Sequence, residues 1–169
     1  MSQAFLRRCL VALVVAVLMP FPALLSGSAH AAERPPAAAV FGDSITFEGA
    51  SALQALRPAW SINGVRGRQA RVYHRLARNY RAAHGRPPRR LVIALGTNEV
   101  GATRRLYRDA VAELPRHATV VLVSTYRDPA VFGEDRAKTM AVITRWMKRV
   151  ARTRARTCVA PWRARVMRD

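Results

Sequence analysis

From Ala37 onward the chain alternates short apolar runs of strand type with longer segments of helical period, and nothing else in the sequence constrains the fold so tightly. The runs cover 37–41, 60–62, 90–95, 119–124 and 157–160, the second of them weak. The helical segments cover 50–56, 69–83, 103–114 and 134–152, the last being the longest. Strands that alternate with helices predict a parallel sheet with helices on both faces. The runs at 90–95 and 119–124 are continuously apolar, which predicts strands buried on both sides. The chain shows no internal repeat.

The N-terminal segment has a different composition. Arg7 and Arg8 precede an unbroken apolar run over 10–18, Pro20 and Pro22 break it, and Ala29-His30-Ala31 supplies a small-x-small site. That pattern predicts a secretory signal over 1–31 cleaved after Ala31, a linker over 32–36, and one domain over 37–169. The apolar run is shorter than the ~20 residues that cross a bilayer, so no transmembrane anchor is expected, and no Cys stands at the junction for a lipid. Cleavage removes Cys9 and leaves Cys158, which cannot form an internal disulfide. Cys158 lies in an apolar run and is expected to be an inert buried thiol.

Of 169 residues 29 are Lys or Arg and 10 are Asp or Glu, a net charge of +19, and +17 once Arg7 and Arg8 leave with the signal. Lys138 and Lys148 are the only lysines. Such a field attracts polyanions. Yet the arginines are spread along the chain with no interleaved aromatic platform. The expectation is therefore a compositional habit with at most nonspecific polyanion contact, and no specific nucleic-acid partner.

In open parallel sheets reactive groups gather at the carboxyl ends of strands. The first run ends in Gly42-Asp43-Ser44, where Ser44 starts the next helical segment and is either a nucleophile or an ordinary cap. The third ends in Gly96-Thr97-Asn98-Glu99, where Asn98 is either an oxyanion donor or a turn former. The second is followed by Asn63-Gly64-Val65-Arg66-Gly67, a glycine-rich loop that could offer a backbone N–H but lacks dinucleotide spacing.

Taken together these three segments resemble the blocks of the SGNH (GDSL-type) ester hydrolases. Gly42-Asp43-Ser44 is similar to the first block, Gly67 (with Gly64 as fallback) to the glycine of the second, and Gly96-Thr97-Asn98 to the third, in which Glu99 replaces the usual Asp. The resemblance implies a flavodoxin-like three-layer α/β/α sandwich with a parallel sheet of about five strands. It also implies Ser44 as nucleophile, with the Ser44 N–H, the Gly67 N–H and the Asn98 amide as the oxyanion hole. Gly42, Asp43, Gly64 and Gly96 support them, and no cofactor or metal is implied. The implied substrate is a small acyl ester or an acylated glycan. A lipase-type elbow is the rival for Ser44, but it requires Gly where Thr46 stands.

One block departs from the pattern. The family's Asp-x-x-His segment follows the last strand, whereas here Cys158-Val159-Ala160-Pro161-Trp162 runs on to Asp169 with no His after His117. His74, His84 and His117 are expected at the surface away from the cleft. Asp128 is on the correct edge but is a poor base at an ordinary carboxylate pKa. The expectation is a member that lacks its base and final helix, through truncation, and is impaired in hydrolysis. The alternatives are a non-catalytic module that holds an acylated glycan or lipid, and a basic envelope protein. The segments 47–51 and 128–133 are expected to be loops around the specificity pocket.

Overall fold

The computed structural model describes residues 35–99 and 104–161. The signal over 1–31, most of the linker, Thr103 and the stretch 162–169 lie outside the described residues. Five strands, β1 (Ala38–Gly42), β2 (Trp60–Gly64), β3 (Arg90–Ala94), β4 (Thr119–Val123) and β5 (Thr157–Ala160), form one sheet. All pairings are parallel, in the order β2-β1-β3-β4-β5. This is the doubly wound order in which the chain turns back between β1 and β3.

Between the strands run α1 (Ser44–Glu48), α2 (Ala50–Leu56), α3 (Tyr73–His84), α4 (Arg104–Ala112), α5 (Pro129–Phe132) and α6 (Glu134–Arg152). A turn of 3-10 helix, Ala70–Val72, leads into α3. Each long helix is amphipathic by spacing. Helix α6 buries Met140, Ile143, Met147 and Val150 along one stripe, with Glu134 and Asp135 in its first turn and Arg149 and Arg152 in its last. Both charge placements complement the helix dipole. Helix α3 buries Tyr73, Leu76 and Tyr80 and stops at Gly85, whose φ of 68° gives the left-handed cap. The segments 47–51 and 128–133 are largely helical: Phe47–Ser51 joins α1 to α2, and Pro129 opens α5.

The strands present unlike faces. Ala39, Phe41, Leu91, Ile93, Val120 and Leu122 point to one side, where α3, α4 and α6 bury them. Phe41 meets Tyr73 and Tyr80 edge to face, at 6.1 and 6.3 Å between ring centroids. The buried phenols are satisfied: Tyr73 donates to the Ala110 carbonyl at 3.1 Å and Tyr107 to the Leu95 carbonyl at 2.9 Å.

On the other side, α1 and α2 pack near β1 and β2. One register row crosses this face, through Val40, Val92, Val121 and Cys158. Val40 is buried, Val92 and Val121 are half-buried, and Cys158 is exposed. Two expectations are corrected here. Strands β3 and β4 are fully buried on one side only, because the short α1 and α2 on the other side pack near β1 and β2. Cys158 is an exposed thiol for the same reason.

Candidate active site

The point where a doubly wound sheet reverses leaves a crevice at the carboxyl ends of the two strands concerned. Here those strands are β1 and β3, and they carry Ser44 and Asn98 on the turns that leave them. Asp43 ties the two turns together. Its N–H donates to the Ala94 carbonyl at 3.2 Å, and its carboxylate accepts from the Ile45 N–H at 3.2 Å as the cap of α1. The Thr97 hydroxyl donates to the other carboxylate oxygen. Asp43 is 1% exposed, so those partners are what make a buried carboxylate tolerable.

The glycines permit the close approach. Gly96 has φ of 124°, and a Cβ there would meet the Tyr107 hydroxyl and the Thr125 methyl. A Cβ on Gly64 would run into the backbone of Thr46 and Phe47, so only glycine lets α1 lie against the end of β2. Gly42 is likewise filled from above by the Thr46 side chain. Gly67 has φ of 68° in an exposed turn that Arg68 N–H closes onto the Val65 carbonyl at 3.4 Å.

Asn98 is held by arginines that the sequence reading took for composition. Its Nδ2 donates to the Arg68 carbonyl at 3.2 Å, and its Oδ1 accepts from Arg127 Nη2 at 3.0 Å. An acceptor on one side and a donor on the other fix the amide's orientation and leave one N–H of Nδ2 unspent. Arg127 also donates to the Thr97 carbonyl at 3.3 Å and lies 4.4 Å over the Phe132 ring. Arg68 donates to the carbonyls of Gly42 at 3.2 Å and Asn63 at 2.7 Å, across the exits of β1 and β2. Burial lowers the Arg68 pKa, as does the charge of Arg75, while Asp43 opposes the shift. Glu99 is buried, accepts from the Ala70 N–H ahead of α3, and its own carbonyl accepts from Arg136 at 2.7 Å. Asn98 is thus held by partners from both flanking loops.

The Ser44 N–H, the Ser44 hydroxyl and the Gly67 N–H have no hydrogen-bond partner among the described residues. The histidines are elsewhere. His74 meets Glu113 at 2.9 Å, His84 lies tilted against Tyr80 at 4.4 Å between ring centroids, and His117 is exposed just before β4, at the amino edge of the sheet. Asp128 is an exposed cap, accepting from the Ala130 N–H at 2.9 Å. Among the described residues no cluster of His, Cys, Asp or Glu could hold a metal, and no helix is long and apolar enough to cross a membrane.

An apolar groove of about 390 Å³ adjoins the site on the sparsely covered face, between α1–α2 and the sheet. Ile45, Leu53, Leu56, Val92, Ala94 and Val123 line it.

No protein-family model matches this sequence, and no curated protein sequence matches it. Solved structures do. The C-terminal catalytic domain of Streptococcus pneumoniae peptidoglycan O-acetyltransferase A, solved with a methylsulfonyl adduct, superposes with a TM-score of 0.64 at 21% identity, over 75% of this chain and 69% of that one. The protein named "putative platelet activating factor from Streptococcus pneumonia" gives 0.53 at 19% identity, over 78% and 68%. An SGNH-hydrolase family esterase gives 0.47 at 15%, over 71% and 72%. At these identities the likeness is one of fold. The chain shares the α/β fold of the O-acetyltransferase catalytic domain, a five-stranded parallel sheet flanked by helices.

Proposed function

We propose that this protein is an SGNH-type acyl-ester enzyme in which Ser44 is the nucleophile and the Ser44 N–H, the Gly67 N–H and the free N–H of Asn98 receive the oxyanion. The observation that carries the reading is the Asp43–Thr97 hydrogen bond, which clamps the Ser44 turn to the Asn98 turn at the sheet's switch point. In the acylation step Ser44 Oγ bonds to the ester carbonyl carbon and the carbonyl π pair moves onto oxygen, where the three N–H groups meet it. The C–O bond to the alcohol then breaks and the alkoxide leaves with a proton. Each such donor is typically worth 100- to 1000-fold in turnover.

Ser44 must also lose a proton, and no imidazole among the described residues adjoins it. Residues 1–169 assayed alone are therefore expected to hydrolyse short p-nitrophenyl esters little above background. Imidazole added at millimolar concentration is expected to raise it, with Ser44→Ala abolishing the rise. A fluorophosphonate should form one covalent adduct, at Ser44. Imidazole-dependent turnover that survives Ser44→Ala overturns the assignment.

A second reading, a module that holds an acyl group without cleaving it, is favoured by the groove beginning at Ile45 and Thr46, next to Ser44. Saturable binding of a medium-chain fatty acyl ester, with no imidazole-dependent turnover, would select it. Export through the 1–31 signal belongs to the same proposal. The mass of the exported chain checks it, with Ala32 as the expected first residue.

A further inference from the structure

The amino edge of the sheet, opposite Ser44, carries a concentration of charge that the proposed chemistry does not use. Arg89 and Arg90 enter β3, His117 and Thr119 enter β4, and Arg156 enters β5; together they line an open hollow of about 590 Å³. Their backbones are fixed by the sheet. Thr119 N–H donates to the Arg89 carbonyl at 2.9 Å, and Val120 N–H to the Arg156 carbonyl at 2.9 Å. Arg156 Nη1 donates to the His117 carbonyl at 3.0 Å, which anchors one end of its guanidinium fork at the hollow's wall.

Several cations elsewhere are paired or spent on carbonyls. Arg66 meets Glu48 at 2.7 Å and Arg108 meets Asp109 at 3.1 Å. The neighbouring Arg154 is consumed by the carbonyls of Val111, Leu114 and Pro115, where it closes the end of α4. By contrast, among the described residues no carboxylate pairs with Arg89, Arg90 or Arg156, and the guanidinium groups of Arg89 and Arg90 donate no hydrogen bond. Arg156 is also the only non-glycine among the described residues with positive φ, at 62°. A side chain in that region costs about 1 kcal/mol or more, so the hollow keeps a guanidinium where glycine would be more comfortable.

A solvated arginine face is the simpler explanation. It accounts for exposure, but not for three like charges converging on one rigid concavity with every acid excluded. Helix C-termini also face this edge, and their partial negative charge opposes an anion; three full charges outweigh it. An oxyanion would relieve the repulsion and accept forked, charge-assisted bonds. The hollow is wide enough for adjacent phosphates of one chain. We propose that it is a binding site for a polyphosphate-type ligand, that is, consecutive phosphate groups read by Arg89, Arg90 and Arg156.

The test is calorimetric titration of the signal-free chain with tripolyphosphate across a salt series. Arg156→Gly removes one guanidinium while relieving the backbone, so the variant is expected to melt no lower than the parent. It should bind about tenfold or more weakly, as loss of a charged hydrogen bond implies, and with a shallower salt slope. Arg89→Ala with Arg90→Ala should weaken binding further. Arg145→Ala, on the exposed side of α6, should leave it unchanged. Equal losses for Arg145→Ala and Arg156→Gly would reduce the site to net charge and overturn the proposal. Binding of a single-stranded oligonucleotide of matched charge as tightly as tripolyphosphate would do the same. Fluorophosphonate labelling of Ser44 should be identical in Arg156→Gly, so this site and the esterase reading stand or fall separately.

Discussion

The two faces of the sheet are built from the same strands and equally apolar residues, yet one is a core and the other is partly a surface. Ile93 and Val92 are neighbours in β3; Ile93 is fully buried under the long helices, while Val92 is half-buried beside an open groove. What differs is the cover. Helices α3, α4 and α6 together bury β1, β3 and β4 on one side, with Val159 of β5 packed against that core. On the other, the seven residues of α2 bury none of their own side chains. Burial in a strand is decided by what packs on it, not by the strand's own hydropathy.

The sharpest way to break this contrast is to put a charge on each side of one strand. Ile93→Lys should unfold the domain, since an unpaired buried ammonium costs several kcal/mol against a total stability of about 5–15 kcal/mol. Val92→Lys should fold and raise solubility. Circular dichroism of the pair checks it, and a folded Ile93→Lys would mean that the helical face is looser than it looks.

Cavity formation should rank the faces in the same order. Ile143→Ala on α6 is expected to cost about 2–5 kcal/mol, and Leu53→Ala on α2 about 1 kcal/mol, because Leu53 is only half-buried and water refills the space. Urea unfolding midpoints for the two variants measure the difference.

Tyr73 sharpens the account of the covered face at high pH. Burial, and then the charge of Glu113, push its phenol pKa well above the ordinary value. A folded-state pKa raised above the unfolded one contributes stability that is complete below about pH 10 and is lost as pH rises beyond it. Tyr73→Phe should therefore cost about 1 kcal/mol at neutral pH, for the lost bond to the Ala110 carbonyl. It should also flatten the decline above pH 10. A parallel alkaline decline in both proteins would assign the lability to another group, Tyr80 being the next candidate.

The smallest perturbation probes the open face alone. Cys158 is exposed, so a maleimide should modify it in the native protein without denaturant and with little change in melting temperature. Labelling only after unfolding would show that something covers β5 in solution.

Much of the fold was legible in the residues. The ranges 50–56, 134–152 and 157–160 read from the sequence coincide with α2, α6 and β5, because periodic burial leaves a local record in the chain. The short α5 was read as a loop, since four residues are too few to show a period. The Gly42-Asp43-Ser44 and Gly96-Thr97-Asn98 turns were legible as strand exits because glycine, small polar residues and strand ends coincide there. The arginines were not. Arg68, Arg127 and Arg136 look like any others in a chain so rich in arginine. Their work on the carbonyls of Gly42, Asn63, Thr97 and Glu99 depends on loops 5 to 37 residues apart. Glu99 was noticed only as a departure from a pattern, although its carboxylate is what receives the Ala70 N–H.

The sequence by itself determined the element order, the parallel sheet and which residues stand at strand exits, because strand and helix periods and glycine turns are local properties. Only the tertiary structure decided that Asp43 and Thr97 share a hydrogen bond and that Asn98 is gripped from two sides. It alone decided that Cys158 meets solvent, and that Arg89, Arg90 and Arg156 share one hollow. The convergences among these are set by the order β2-β1-β3-β4-β5, which brings distant strand ends side by side, and proximity across a sheet leaves no trace in the spacing of residues along the chain.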